Sequence, residues 1–136
     1  GEAARLLNTT AQQIQLDRPL AIDRLVALTG AIVVLKGQHT LIKSPQLTSQ
    51  LNEPTQMCLK GHPGMGVAGM GDVLTGVIAA IMSQGIKHQI NTFEASCLAV
   101  ELHATAADSL LNQGTGPIGL TPSEVIKEIR NLINIK

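Results

Sequence analysis

Apolar positions in this chain switch between helical spacing and short unbroken runs, and the switches lay out its elements. Glu2 to Leu7 reads as a short helix with Leu6 and Leu7 on its apolar side, stopped at Asn8-Thr9-Thr10. Thr10 can start a brief turn through Ile14. Asp17-Arg18-Pro19 is the next helix start, with Pro19 presetting φ for the first turn. Ala21, Ile22, Leu25, Val26 and Leu28 then recur at helical spacing until Gly30 ends the helix. The run Ala31-Ile32-Val33-Val34-Leu35-Lys36 predicts a strand buried on both faces, as in a parallel sheet under helices. Gln38-His39 makes a turn to a second short strand at Thr40–Lys43, which Ser44-Pro45 breaks. Gln46 to Glu53 reads as a polar surface β excursion, and Thr55 to Leu59 as a short strand.

Beyond Leu59 the pattern is helical. Val73, Leu74, Val77, Ile78, Ile81 and Met82 give a helix from Asp72 to Gln84 a wide apolar face, with Gly76 for close packing and Gly85 as its cap. Thr92 is read as the cap of a long helix from Phe93 to about Asn112, whose stripe is Ala95, Leu98, Ala99, Leu102, Ala106 and Leu110. His103 lies near that stripe as a packing histidine; Glu101 and Asp108 read as solvated or helix-pairing charges. A flexible loop, Gly114 to Leu120, leads to the capping box Thr121-Pro122-Ser123-Glu124. The last helix carries Val125, Ile126, Ile129, Leu132 and Ile133 inward. No repeat, second domain or low-complexity tract interrupts this order.

The stretch that departs from ordinary patterning is Gly61-His62-Pro63-Gly64-Met65-Gly66-Val67-Ala68-Gly69-Met70-Gly71-Asp72. Glycine lets the backbone approach a ligand with no Cβ in the way. A helix that starts in such a loop aims its unpaired N–H groups and the positive end of its dipole at it. The combination is an anion hole, and the usual anion is phosphate. A carboxylate at its mouth, Asp72, suits a metal or a proton-accepting role; an ordinary helix cap is the alternative and is compatible with either. No lysine follows the last glycine, so the standard P-loop is excluded. Gly64 to Gly69 fits G-x-G-x-x-G, but Glu94, the only acid near the required distance, falls at a helix start, and the dinucleotide reading is set aside. Lys36-Gly37 at a strand's carboxyl end lies where open α/β sheets bind ligands, with a plain solvating charge as the alternative. His62 either touches phosphate or is an exposed loop histidine. Neither His39 nor His62 has a second ligand at metal spacing, so no zinc site is expected.

Composition narrows the classes. The chain of 136 residues suffices for one domain with a core, which a single Phe93 and no Trp or Tyr leave to Leu, Ile, Val, Ala and Met. Ten basic residues balance ten acidic ones, which argues against a nucleic-acid or anionic-membrane surface. No apolar run reaches the roughly 20 residues of a membrane span. Cys58 and Cys97 form no CxxC and read as buried thiols in a reducing compartment, so a cytoplasmic protein is expected. The opening Gly1-Glu2-Ala3-Ala4-Arg5-Leu6-Leu7 reads as a helix already under way, the later part of something longer.

Four segments together resemble the carboxyl-terminal half of an ADP- or ATP-dependent NAD(P)H-hydrate dehydratase, an enzyme of ribokinase-like fold often fused to an NAD(P)H-hydrate epimerase. Gly1 to Leu7 resembles that family's H-P-G-E-A-x-R-L-L, and Val34-Leu35-Lys36-Gly37-Gln38-His39-Thr40 its V-L-K-G-x-x-T. The glycine loop through Gly69-Met70-Gly71-Asp72-Val73-Leu74-Thr75-Gly76 resembles its G-N-x-G-M-A-[ST]-G-G-[MT]-G-D-V-L-[ST]-G. Phe93 to Asp108 resembles its helix with H-x-x-A-x-D. Departures are His62 for the family's Asn, Gly66-Val67-Ala68 for its Ala-[ST]-Gly, and Gln38-His39 for its small pair.

The resemblance implies an α/β, ribokinase-like three-layer sandwich, with residues 1–136 as the carboxyl-terminal half of one domain. It implies repair of (S)-NAD(P)H-hydrate by phosphoryl activation of its hydroxyl, with ADP or ATP as co-substrate and Mg²⁺ on the phosphates. Asp72 would be the catalytic base and, with Glu2, would face the hydrate. Lys36, Gly37, Gln38, His39 and Thr40 would line the nucleotide, and His62, Gly64, Met65, Gly66, Gly69, Met70 and Gly71 would cradle its phosphates. No protein side chain is assigned as a metal ligand. Expected partners are a second copy of the chain and an epimerase, fused or separate. Two rivals are a ribokinase-like kinase of a vitamin precursor, which would keep its phosphorylated product, and a non-catalytic nucleotide- or phosphate-binding fragment.

Overall fold

Helix starts follow the side chains able to cap them. Thr10 and Gln13 form a reciprocal capping box, and Asp17 accepts the Leu20 amide at 2.9 Å. The computed structural model describes residues 1–45 and 54–134, so the β excursion expected at 46–53 lies outside the described residues. The chain divides into two units, Gly1–Met57 and Cys58–Lys136.

The first unit holds α1 (Glu2–Leu6), α2 (Ala11–Leu16), α3 (Arg18–Thr29), β1 (Val33–Leu35), β2 (Leu41–Lys43) and β3 (Gln56–Met57). Its core joins Ala4, Ile14, Ala21, Ile22, Leu25 and Val26 of the helices to Leu35 and Leu41 of the sheet. The sheet corrects the expectation of a parallel, doubly covered strand. Its order is β1-β2-β3 and both pairings are antiparallel, with Val33 opposite Lys43, Leu35 opposite Leu41, and Leu41 opposite Met57. Val33 and Val34 are only half-buried, and Leu35 alone of the strand is buried. The reason is the connection: Lys36–Thr40 is a tight turn, whereas a parallel crossover needs about a dozen residues or more.

Among its described residues the second unit contains a 3₁₀ turn at Pro63–Met65 and three helices, α4 (Met70–His88), α5 (Thr92–Asn112) and α6 (Pro122–Ile133). Helix α5 packs against both others, and Met70, Ala106, Ala107, Leu110, Leu120, Val125 and Ile129 make the shared core. Several sequence expectations shift here. Helix α4 begins two residues before Asp72 and runs through buried Gly85, ending at Gln89 in the left-handed region with φ 58°. Gly76 faces open space rather than a packed neighbour. Asn91, not Thr92, caps α5, because its side chain accepts the Glu94 amide while the Asn91 amide donates to the Glu94 carboxylate. Leu98, Ile126 and Ile133, expected inward, are exposed. Among the described residues no helix is long and apolar enough to cross a membrane.

One buried carboxylate ties α5 to α6. Glu128, 6% exposed, accepts from Ser109 Oγ at 2.6 Å, Gln113 Nε2 at 2.9 Å and Asn131 Nδ2 at 3.0 Å. These bonds, led by Ser109 and then Asn131, hold its carboxyl below the ordinary value against the opposing effect of burial. A lowered native value means that the unfolded chain takes up the proton first on acidification. The Glu128 contribution is therefore complete above the ordinary carboxylate range, about pH 4, and is lost as pH falls through the native value. Glu128→Ala, which strands three donors, is expected to cost roughly 2–3 kcal/mol in urea unfolding near neutral pH. That difference from the parent should shrink toward pH 3, about one unit below the ordinary range; an unchanged difference would exclude the charged carboxylate as its source.

Candidate functional site

A glycine loop has few side chains with which to hold a shape, so its contacts to neighbours decide its form. The segment leading into it is laced along α5. Cys58 Sγ donates to Glu101 at 3.4 Å, and Lys60 Nζ lies 2.7 Å from Glu101 and 3.1 Å from Thr105 Oγ1. Lys60 holds the Glu101 carboxyl below its ordinary value, and burial is the main cause raising the Cys58 thiol. One turn further, the Gly61 amide donates to Asp108 Oδ2 at 2.9 Å. His62 follows, with Nε2 at 3.2 Å from Ala107 O and Nδ1 accepting the Gly64 amide at 3.2 Å. The loop's second wall is the Gly114–Leu120 segment. A Cβ on Gly64 would stand 2.4 Å from Pro117 O, a distance no side chain tolerates, so glycine is required there by close approach.

The loop ends at the start of α4. Gly69 is its N-cap with φ 87°, a conformation that glycine adopts without a Cβ penalty, and no side chain caps the helix. The Val73 amide bonds Gly69 O at 3.0 Å and so closes the first full turn. The Gly71 and Asp72 amides precede that closure and stay outside the helical ladder. They point with the helix dipole at the glycine loop, the arrangement that favours an anion. Asp72 is exposed in that first turn, third in the helix rather than at the cap, so it does not serve as the N-cap. Met70 is buried to 4% exposure in the core, which leaves only its backbone for a ligand.

His103 lies beneath the same helix start. Its ring is buried and hydrogen-bonds the Met70 backbone, while Nε2 has no partner among the described residues. Burial lowers its proton affinity and the Met70 bond only partly opposes this, so the ring is neutral near pH 7. It is a packing histidine satisfied on one side only.

The first unit carries the other sequence-predicted positions. Lys36 Nζ sits 3.3 Å from Glu2 Oε2, an exposed pair worth about 1 kcal/mol or less. The Lys36–Thr40 turn is closed by Thr40 Oγ1 donating to Gly37 O at 3.1 Å, with His39 left-handed at φ 54° and Gln38 and His39 exposed. Arg18, read from the sequence only as part of a helix start, caps this turn: its guanidinium donates to Leu35 O at 2.9 Å, with longer contacts to Lys36 O and His39 O. Thus Glu2 and the Lys36–Thr40 turn form one group in the first unit. His62, Gly64, Met65, Gly66, Gly69, Met70, Gly71 and Asp72 form another in the second. Asp108, Glu101 and Arg18 hold these segments although their charges had suggested solvated, helix-pairing or helix-starting roles; only contact across distant sequence reveals them.

Among the described residues no group of three His, Cys, Asp or Glu side chains could hold a metal ion. A family model described as NAD(P)H-hydrate dehydratase matches residues 1–131. The chain is 41% identical over 133 residues to an ADP-dependent (S)-NAD(P)H-hydrate dehydratase of Neisseria meningitidis, covering 98% of this chain and 42% of that protein. It is 40% identical to a bifunctional NAD(P)H-hydrate repair enzyme of Vibrio cholerae, covering 98% of this chain and 24% of that one. The chain thus spans less than half the length of these relatives. A crystal structure of the ADP/ATP-dependent NAD(P)H-hydrate dehydratase of Bacillus subtilis, co-crystallised with ATP/Mg²⁺ and soaked with CoA, superposes with a TM-score of 0.85 at 22% identity. That match covers 98% of this chain and 45% of the other, and it gives the chain the ribokinase-like α/β fold expected from the sequence. With nearly its full length matched by the family model, the chain belongs to the NAD(P)H-hydrate dehydratase family.

Proposed function

We propose that the second unit carries the phosphate-binding and catalytic segment of an ADP- or ATP-dependent (S)-NAD(P)H-hydrate dehydratase. The observation that carries this reading is the start of α4. Two amides outside the helical ladder face a glycine-walled loop, and the one carboxylate there, Asp72, is exposed. Phosphoryl transfer needs positioned donors, charge neutralisation and a group to take the hydroxyl proton, and this arrangement offers the first and the last. The relatives named for this activity, and the fold neighbour co-crystallised with ATP/Mg²⁺, support the same assignment.

In this reading the backbone from His62 to Gly71 cradles the nucleotide phosphates, with the Gly71 and Asp72 amides as donors. Asp72 takes the proton of the hydrate hydroxyl as that oxygen forms a bond to the terminal phosphorus, whose bond to the bridging oxygen breaks and releases AMP from ADP, or ADP from ATP. Phosphate then leaves with the carbon–oxygen electron pair, and the neighbouring ring carbon gives up a proton to restore the dihydropyridine. A magnesium ion would enter with the nucleotide, and Asp72, the acidic residue of the first turn of α4, would help hold it; among the described residues no three His, Cys, Asp or Glu side chains group as a separate cage. Such an ion supplies neutralisation of the phosphate charge. Glu2 and the Lys36–Thr40 turn enter as substrate- and nucleotide-facing positions on the strength of their motifs. A second copy of the chain and an epimerase remain its proposed partners; fusion to the repair partner is what the bifunctional relatives' names suggest.

A second reading is nucleotide or phosphate binding at the start of α4 without turnover, which the same unpaired amides would support. The deciding assay mixes the chain with hydrated NADH, Mg²⁺ and ADP or ATP and follows the return of NADH absorbance. Regenerated NADH supports the dehydratase, a stable phosphoester the kinase of a small molecule, and nucleotide binding alone the second reading. Where turnover is found, Asp72→Asn is expected to lose about a hundredfold or more in kcat while retaining ADP affinity. Turnover at the parent rate would exclude Asp72 as the base. Gly64→Ala, with its Cβ driven at Pro117 O, is expected to weaken ADP binding by roughly tenfold in a calorimetric titration with helix content unchanged. Unchanged affinity would remove Gly64 from the phosphate wall.

A further inference from the structure

We infer that His62 is a positioning residue for the glycine loop: a neutral imidazole, protonated on Nε2, that ties the loop to α5 with one nitrogen and orients a loop amide with the other. The geometry sets the tautomer. Gly64 N–H points at Nδ1 from 3.2 Å, and an N–H can only be accepted by a ring nitrogen that carries no proton. The proton must then sit on Nε2, where Ala107 O stands ready to accept it at 3.2 Å. The two bonds agree on one protonation state.

The same ring fills the space that the glycines leave. Its Cε1 would be 2.8 Å from a Cβ on Gly64 and 3.8 Å from one on Gly116. His62 also supplies the backbone carbonyl that starts the 3₁₀ turn, accepting the Met65 amide at 3.0 Å. One residue therefore caps the turn by side chain and backbone, spaces the two glycine segments, and anchors them to α5. With both ring nitrogens engaged inside the protein, its contribution to a bound phosphate is the shape of the loop rather than a direct contact. The chain carries this brace where the resemblance sets an asparagine, a side chain that can accept the Gly64 amide but is too short to reach Ala107 O as well.

The effect on ligand binding rests on the reading of the loop as a phosphate site; the tautomer and the tether do not. The test uses the ¹⁵N-labelled chain near neutral pH, with ring-nitrogen spectra, exchange of the Gly64 amide and ADP affinity as readouts. His62→Asn preserves the acceptor for Gly64, His62→Gln preserves the donor for Ala107, and His62→Ala removes both. A bare Nδ1 with a protonated Nε2 is expected. Gly64 should stay protected from exchange in the Asn variant and lose protection in the Gln and Ala variants. ADP affinity should fall by about tenfold in the Ala variant and less in the Asn variant. A proton on Nδ1, or equal Gly64 protection in the Ala variant, would overturn the brace, and the parent ring spectrum decides this even if a variant fails to fold. If the parent does not bind ADP, the phosphate reading fails and the ring nitrogens still judge the brace. If the parent binds ADP and a folded His62→Ala chain binds it equally, the positioning role is overturned.

Discussion

A loop that is almost half glycine owes its shape to bonds made by its neighbours, and the second unit is built around supplying them. Glycine in such a stretch gives up more backbone entropy on ordering than any other residue. Here the ordering is supported by α5, which meets the loop with a carboxylate at Gly61, a carbonyl at His62, and a carboxylate and hydroxyl at Lys60. The 2.9 Å bond from the Gly61 amide to Asp108 holds the loop at its root, and His62 holds it one residue later. Without these ties the amides at the start of α4 would face a loop of no defined form, and an anion hole with a moving wall binds weakly.

The composition of α5 makes this possible. Ala95, Ala99, Ala104, Ala106 and Ala107 are buried, so the helix approaches its neighbours closely without large side chains between. Its polar residues are then free to be specific. Glu101, Thr105 and Asp108 serve the loop segment, while Ser109 and Gln113 serve Glu128 on α6. His103 is the exception, a buried ring satisfied on one nitrogen only, placed under Met70. In the first unit Arg18 does for the Lys36–Thr40 turn what α5 does for the glycine loop, filling backbone acceptors from a helix start.

Much of this was legible in the sequence because its signals are local. Thr10 with Gln13 and Thr121 with Glu124 announce helix starts over three residues, and both are capping boxes in the structure. The glycine spacing before Asp72 marked the helix start that now forms the candidate site. What the sequence concealed depends on residues far apart. Gly61 and Asp108 are 47 positions from each other, and His62 and Ala107 are 45 apart. Such bonds leave no periodicity to read, so Asp108 looked like a surface charge. The run Ile32 to Leu35 carried β propensity but no information on its partner; the short turn after it decided for an antiparallel pairing. Thr92 and Asn91 are both competent caps, and the choice fell on the one whose side chain reached the Glu94 amide.

The central claim is that the start of α4 is an anion site held open by its glycine loop. Titrating ¹⁵N-labelled chain with inorganic phosphate, and separately with ADP, tests it residue by residue through the amide resonances. Saturable shifts concentrated at Gly69, Met70, Gly71 and Asp72, larger with ADP than with phosphate and absent with a neutral nucleoside, are the expected result. Shifts confined to other segments, or none at ligand concentrations that saturate related nucleotide sites, would contradict it.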